Sequence, residues 1–313
     1  MNVLVSGGTG LIGSALIPAL RRSGHEIMVL TRRPSTASLP GVRFAHWDPE
    51  TGVMDAAALD GAQAIVHLAG ESIAGGRWTD AKRSRIVESR VQGTRFLAER
   101  AATPSSPPSV FVSASAVGFY GNRGDEILTE ESAAGSGFLA DVCRAWEAAT
   151  AGAAARGIRV VHLRVGLVLD AREGALGKML PLFRLGLGGP LGRGRQWMSW
   201  VAMEDVVGAI EFAIGREDLS GPVNIAAPEP ARNRDFALAV GRALGRPARL
   251  PAPAFALRLL FGRMADEAIL ASARVSPVRL LGAGYAFRFP SLGGALANAI
   301  SPSSVRLSRS ARG

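Results

Sequence analysis

The 313-residue chain has one cysteine, Cys143, two lysines, Lys82 and Lys178, and two tyrosines, Tyr120 and Tyr285. A single thiol cannot close an internal disulfide, so cysteine usage gives no sign of an oxidising compartment. Strand residues begin at Val3, which leaves no room for a signal peptide, and no apolar run is long enough to span a bilayer. The expectation is a cytoplasmic protein with no membrane partner. His25, His46, His67 and His162 are scattered, without companions at metal-ligand spacing, so no metal site is expected. Lysine is scarce, yet the net charge is +10, because arginine supplies nearly all the basic residues. They are spread along the chain. The one local cluster without acids, Arg306, Arg309 and Arg312, lies in a serine-rich end that reads as a disordered tail over 301–313. Acidic small ligands suit this balance, and nucleic-acid binding is not expected.

The first 33 residues carry the strongest pattern. An apolar strand, Met1–Ser6, runs into GGTGLIG at Gly7–Gly13, a helix follows over Leu11–Ser23, and a second strand, Glu26–Leu30, ends in Thr31-Arg32-Arg33. Strand, glycine turn, helix and strand in that order make a dinucleotide-binding unit. The glycines allow a tight turn, close approach of backbone to a pyrophosphate, and close helix packing. The helix start offers free N–H groups and a positive dipole end to the phosphates. Gly7, Thr9, Gly10, Leu11, Ile12 and Gly13 are therefore expected to bind the cofactor. An NAD binder usually places an acid at the end of the second strand, to hold the ribose 2′-hydroxyl. Here Thr31 and Arg32 stand at that end, and Arg32 suits a 2′-phosphate. NADP(H) is expected in preference to NAD(H).

Strands and helices then alternate. Strands are expected at Val42–His46, Ala62–Ala69, Ser109–Ser115 and Ile158–Leu169, and helices at Thr79–Ala102 and Gly137–Arg156. This predicts an α/β fold: a Rossmann-type doubly wound parallel sheet with a smaller C-terminal α/β lobe. The expected division is a cofactor domain over 1–227, with 170–203 inserted into the substrate lobe, and a small lobe over 228–300. In the second part, Ser199–Glu217 reads as a strand end and a helix capped near Asp205. Val223–Ala227 and Tyr285–Phe289 read as strands. Asn233–Leu244, Ala254–Phe261, Met264–Ala271 and Leu292–Ile300 read as helices. Ligands in such a fold sit beyond the carboxyl ends of the strands.

Several motifs resemble those of the extended short-chain dehydrogenases/reductases, which include sugar-nucleotide epimerases and dehydratases. GGTGLIG is similar to their cofactor loop, HLAG at His67–Gly70 to the turn after their fourth strand, and SASAVGFYG at Ser113–Gly121 to their active-site serine segment. SWVAMEDVV at Ser199–Val207 resembles their later strand-to-helix motif. More narrowly, HLAGESI, RWTDAKRSRIVESRVQGT, FLADVCRAWE, GLGGPLGRGRQWMSWV and the C-terminal RPARLPAP, RMADEAILASARVSP and GYAFRFPSLGGAL resemble an atypical branch. That is the NAD-dependent epimerase/dehydratase-like "epimerase family protein" branch, which ends in a domain of unknown function. The resemblance runs from Met1 to about Ala297, with Arg263 where the branch often has glutamate.

The resemblance brings Leu68, Ala69 and Gly70 to the cofactor, with Ser113, Arg90 and Arg164 as further contacts. Arg90 stands where an asparagine is usual and could serve cofactor phosphates or an acidic substrate. The family's Tyr-x-x-x-Lys pair is absent: four residues after the two tyrosines stand Gly124 and Phe289. Alignment on Glu147 puts Leu139 at the tyrosine position and Cys143 at the lysine position. Ser115, with Ser113 as the alternative, matches the family serine. Tyr120 is the substitute acid, and Glu71 is either a proton-transfer group or a ligand for Arg90 or Lys82. The implied function is an NADP(H)-dependent oxidoreductase or epimerase-like enzyme on a small, anionic or nucleotide-sugar-like substrate, with a homodimer as the expected assembly. The rival is a non-enzymatic NADP-binding sensor.

Overall fold

The computed structural model of the protein describes residues 1–34, 41–74 and 76–301, so the expected tail lies, apart from Ser301, outside the described residues. In chain order the strands are β1 (Asn2–Ser6), β2 (Glu26–Thr31), β3 (Val42–Asp48), β4 (Val53–Met54), β5 (Ala64–His67), β6 (Val110–Ala116), β7 (Ile127–Leu128), β8 (Arg159–Val165), β9 (Leu167–Leu169), β10 (Trp197–Met198), β11 (Trp200–Ala202), β12 (Gly221–Ile225), β13 (Ala231–Arg232) and β14 (Arg274–Val275). The helices are α1 (Leu11–Arg22), α2 (Asp80–Ala101), α3 (Phe138–Ala148), α4 (Ala151–Ala155), α5 (Gly174–Arg184), α6 (Met203–Gly215), α7 (Asn233–Leu244), α8 (Ala254–Phe261), α9 (Val278–Gly282) and α10 (Leu292–Ile300).

Eight strands make one sheet in the order β12-β8-β6-β5-β1-β2-β3-β4. All neighbours in it are parallel except β3 and β4. This is the doubly wound Rossmann-type sheet. Both faces are covered, which is why β1, β5 and β6 are almost unbroken apolar runs. Val3, Val5, Val66 and Val112 pack under α1 and α6, while Leu4, Ile65 and Phe111 pack under α2 and α4. The chain steps outward from β1 in both directions, so the order reverses between β1 and β5. That switch point is where an open α/β sheet leaves a crevice at its carboxyl edge.

Helix α1 forms because Gly13, Leu16, Ala19 and Leu20 recur on one face and are buried there. Helix α2 is capped by Thr79, whose hydroxyl accepts from the Lys82 N–H. The smaller lobe has its own core, built on Leu176, Leu180, Phe183, Trp200, Phe236, Val240 and Leu296.

Five sequence-level expectations need correction. The helix over 137–156 is two helices: the Thr150 hydroxyl donates to the Glu147 carbonyl, a side-chain bond that competes with the helix ladder. The strand over 158–169 breaks at Gly166, where a Cβ would lie 2.3 Å from the Ser199 carbonyl oxygen, and β9 leaves the main sheet to pair with β11. Asp205 lies in the first turn of α6 and does not cap it. Its carboxylate accepts the backbone N–H groups of Arg288 and Phe289, which holds 285–289 as an irregular segment where a strand was expected. The expected helix over 264–271 is a single π-type turn, Ala265–Ile269.

Candidate functional site

The crevice at the switch point is framed by the glycine turn. Gly7 has φ +71°, and a Cβ there would stand 2.7 Å from the Ala69 nitrogen, so only glycine lets the two strand exits touch. Gly13 packs closer still, its Cβ position 2.3 Å from the Gly7 oxygen, which is how α1 seats against β1. Gly10 differs. It is exposed, it caps α1 without a side chain, and its Cβ direction meets only the Gly7 oxygen at 3.3 Å. The first N–H groups of α1, at Leu11 and Ile12, have no intrahelical acceptor by construction and no side-chain cap. They and the positive helix end face the opening beside exposed Thr9, an anion cradle. Leu68, Ala69 and Gly70 form the other lip, with the Leu68 N–H donating to the Ser6 carbonyl.

Beyond Gly70 the chain is pinned to α2. The Glu71 N–H donates to Ser89 Oγ at 3.0 Å, and its carbonyl accepts from Arg90 Nη1 at 2.9 Å. Its carboxylate lies 2.5 Å from the ammonium of buried Lys82, whose hydrogen bond holds the Glu71 carboxyl below its ordinary pKa. Glu71 is thus a clamp through Lys82, the second of the two roles expected for it. Lys178 Nζ, from α5, donates to the Ala74 carbonyl. Both lysines of the chain therefore hold this one loop. Lys178 was not among the expected site residues, because a contact spanning 104 residues leaves no local pattern.

Arg90 is half-buried under the same loop. Its guanidinium lies 4.9 Å over the Trp146 ring and against Gly70, and it interacts with Cys143. Burial lowers its pKa from the ordinary value, but a guanidinium stays charged at neutral pH. Burial pushes the Cys143 thiol up to about 11, so this position carries no charge. Below, a buried polar chain crosses the layer. Ser6 Oγ meets His67 Nδ1 at 2.6 Å and His67 Nε2 meets Thr94 Oγ1 at 2.9 Å. Thr94 Oγ1 also accepts from Trp146 Nε1.

The expected catalytic groups on β6 and β8 are withdrawn into the wall. Tyr120 is fully buried; its hydroxyl proton lies between Asn224 Oδ1 (2.7 Å) and the Thr129 carbonyl (3.0 Å), and it accepts from Arg164 Nη1. Burial raises its pKa. It is a structural tyrosine, which corrects its assignment as the substitute acid. Arg164 is 4% exposed, paired through two nitrogens with Glu147, and stacked 3.4 Å from the Phe119 centroid. Its expected contact with cofactor is corrected likewise. Ser115 Oγ donates to the same Glu147 at 2.7 Å, and buried Ser113 donates to the Ala114 carbonyl. The structure thus brings together the glycine turn, the 68–70 lip and Arg90. It places Thr31 and Arg32 at the outer rim, where exposed Arg32 faces Glu50 at 3.7 Å. Among the described residues no Cys, His, Asp and Glu cluster could hold a metal ion.

A parallel sheet with an anion cradle at its switch point defines a dinucleotide-binding protein of the Rossmann class. The chain belongs to the NAD dependent epimerase/dehydratase family, whose model matches residues 3–226; residues 252–299 match a domain of unknown function, DUF1731. An epimerase family protein of Mycobacterium tuberculosis is 44% identical over 94% of this chain and 96% of its own length. The fold is similar to human epimerase family protein SDR39U1, solved with NADPH, at TM-score 0.84 and 35% identity over 96% of this chain and 99% of that one. It is also similar to a nucleoside-diphosphate sugar epimerase of Corynebacterium glutamicum, at TM-score 0.77 and 38% identity, all of this chain matching 61% of that one.

Proposed function

We propose that the protein binds NADP(H) across the β1/β5 switch point and acts as an oxidoreductase or epimerase-like enzyme on a small anionic substrate. The observation that carries this reading is the glycine cradle with Arg32, and no acid, at the end of β2. The similarity to a protein solved with NADPH supports it. The residues fit the group: a side-chain-free opening at Gly10 admits a pyrophosphate, and the N–H groups of Leu11 and Ile12 are aimed to receive it. Arg32 would take the 2′-phosphate in place of Glu50. Arg90 places a fixed positive charge beside Cys143, where the family's lysine is missing. When bound, the nicotinamide gives or accepts hydride. The protein's part is to hold it, beside the chain that Lys82 and Lys178 clamp at Glu71 and Ala74.

No proton transfer is assigned to Tyr120, whose hydroxyl is already committed, or to Glu71, whose carboxylate is paired with Lys82. The missing Tyr-x-x-x-Lys pair is what a second reading rests on, in which cofactor occupancy controls a partner and nothing turns over. Fluorescence titration with NADPH and NADH tests the first. Arg32→Ala should weaken NADPH binding by about 1.5–3 kcal/mol, roughly 10- to 100-fold, and leave NADH unchanged. Equal affinity of the unmodified protein for both cofactors would sink the NADP assignment. Oxidation of bound NADPH by any member of a carbonyl or nucleotide-sugar panel separates the enzyme from the sensor.

A further inference from the structure

The smaller lobe carries a charge asymmetry that the crevice does not use. No Asp or Glu occurs from 174 to 203, where Lys178, Arg184, Arg193 and Arg195 lie, nor from 236 to 265, where Arg242, Arg246, Arg249, Arg258 and Arg263 lie. The fold lays these two stretches side by side. Helix α5 packs on α7, the Leu250 N–H donates to the Gly188 carbonyl, and the Ala252 N–H donates to the Pro190 carbonyl. At the end of α7 and in the turn after it, an open groove of about 330 Å³ is lined by Leu238, Arg242, Arg246 and Arg249. All three arginines are exposed, and none has an ion pair among the described residues. Elsewhere on the surface some arginines are paired, as Arg123 with Glu126 and Arg279 with Glu131.

Beside the groove lies an exposed apolar turn. Leu185 and Leu187 flank Gly186, which turns left-handed against Pro247, and they are 72% and 53% exposed; the adjoining Leu250 is 54% exposed. Exposed leucines on a turn beside unpaired arginines match the chemistry of a bilayer interface, apolar below the headgroups and anionic at their level. A second copy of the chain fits poorly, because a two-fold contact on this face would set arginine against arginine. Nucleic acid fits poorly too, since it would leave the leucines facing phosphate and water.

We propose that this face docks peripherally on an anionic phospholipid surface, with Arg242, Arg246 and Arg249 meeting headgroup phosphates and Leu185 and Leu187 entering the interface. The sequence-level expectation of no membrane partner rested on the lack of a spanning run. Among the described residues no helix is long and apolar enough to cross a membrane, which does not bear on a surface contact.

The test is co-sedimentation of the full chain with phosphatidylglycerol vesicles and with phosphatidylcholine vesicles. Binding is expected to phosphatidylglycerol alone and to fall with added salt. Arg242→Ala/Arg246→Ala/Arg249→Ala should weaken it roughly 100-fold, and Leu185→Ser/Leu187→Ser should also weaken it, with circular dichroism unchanged. Phe255→Ser/Leu259→Ser, which removes equally exposed apolar groups of α8, should leave it intact. Failure to bind phosphatidylglycerol at low salt overturns the proposal. So does binding that survives the arginine variant, whose charge would then come from elsewhere, such as Arg306, Arg309 and Arg312. It is also overturned if the α8 variant alone abolishes binding, or if duplex DNA competes fully and the leucine variant binds that DNA normally.

Discussion

Tyr120 shows how much a single side chain's surroundings decide. By position it is the only tyrosine close to the strand ends, and by chemistry it could give up a proton. In the structure its hydroxyl is the hub joining Asn224, Thr129 and Arg164, and Arg164 is in turn locked to Glu147. Tyr120→Phe would leave a buried Arg164 nitrogen and the Asn224 oxygen short of a partner, at a cost of about 1–3 kcal/mol of stability. Urea denaturation should show that loss while NADPH affinity stays the same. A variant with unchanged stability and diminished NADPH affinity or turnover would put the hydroxyl back in the crevice.

At the scale of elements, the β1–α1 unit separates two kinds of glycine. Gly10→Val should fold, since its Cβ direction meets only one backbone oxygen at 3.3 Å, yet it would fill the space over the first N–H groups of α1. NADPH binding should vanish in titration with the circular dichroism spectrum preserved. Gly13→Val should do the reverse in order of events. Its Cβ would collide with Gly7 and Gly8 backbone at 2.3 and 2.6 Å, so α1 must lift from the sheet and the thermal midpoint must drop. A stable, well-folded Gly13→Val protein would refute the packing described for this turn. Helices α7, α8 and α10 lie where the apolar periodicity placed them, and β1 and α1 within a residue. In each, local pattern and tertiary burial agree.

For the whole molecule, the Ser6–His67–Thr94–Trp146 chain ties β1, β5, α2 and α3 together and makes stability depend on pH. Burial lowers the His67 pKa from 6.5 to about 4. The unfolded chain therefore binds this proton first, and the folded state loses stability as pH falls from about 6.5 toward 4. The shift corresponds to about 3 kcal/mol. Burial lowers the His162 pKa too, which adds in the same direction, whereas burial raises the Asp205 pKa and opposes it. Urea denaturation from pH 7 to pH 4 should show the decline, and His67→Asn, which cannot titrate there, should flatten it. An equally steep decline in that variant would assign the acid sensitivity to other groups.

The Rossmann order of elements, the cradle at Gly7–Gly13 and the arginine at the end of β2 are legible in the chain alone. All three are local: apolar runs, a glycine turn and one strand terminus, each readable within a few residues. The chain also shows that no tyrosine and lysine stand four residues apart. The pairings across long separations come from folding. The burial of Tyr120 against Asn224, the capture of Arg164 by Glu147 and the clamping of one loop by Lys82 and Lys178 depend on packing between distant segments. The break at Gly166 is of the same kind, because the carbonyl that excludes a side chain there belongs to Ser199. A hydroxyl or a carboxylate has the same chemistry in any sequence; whether it is free to act depends on the partner the fold brings to it.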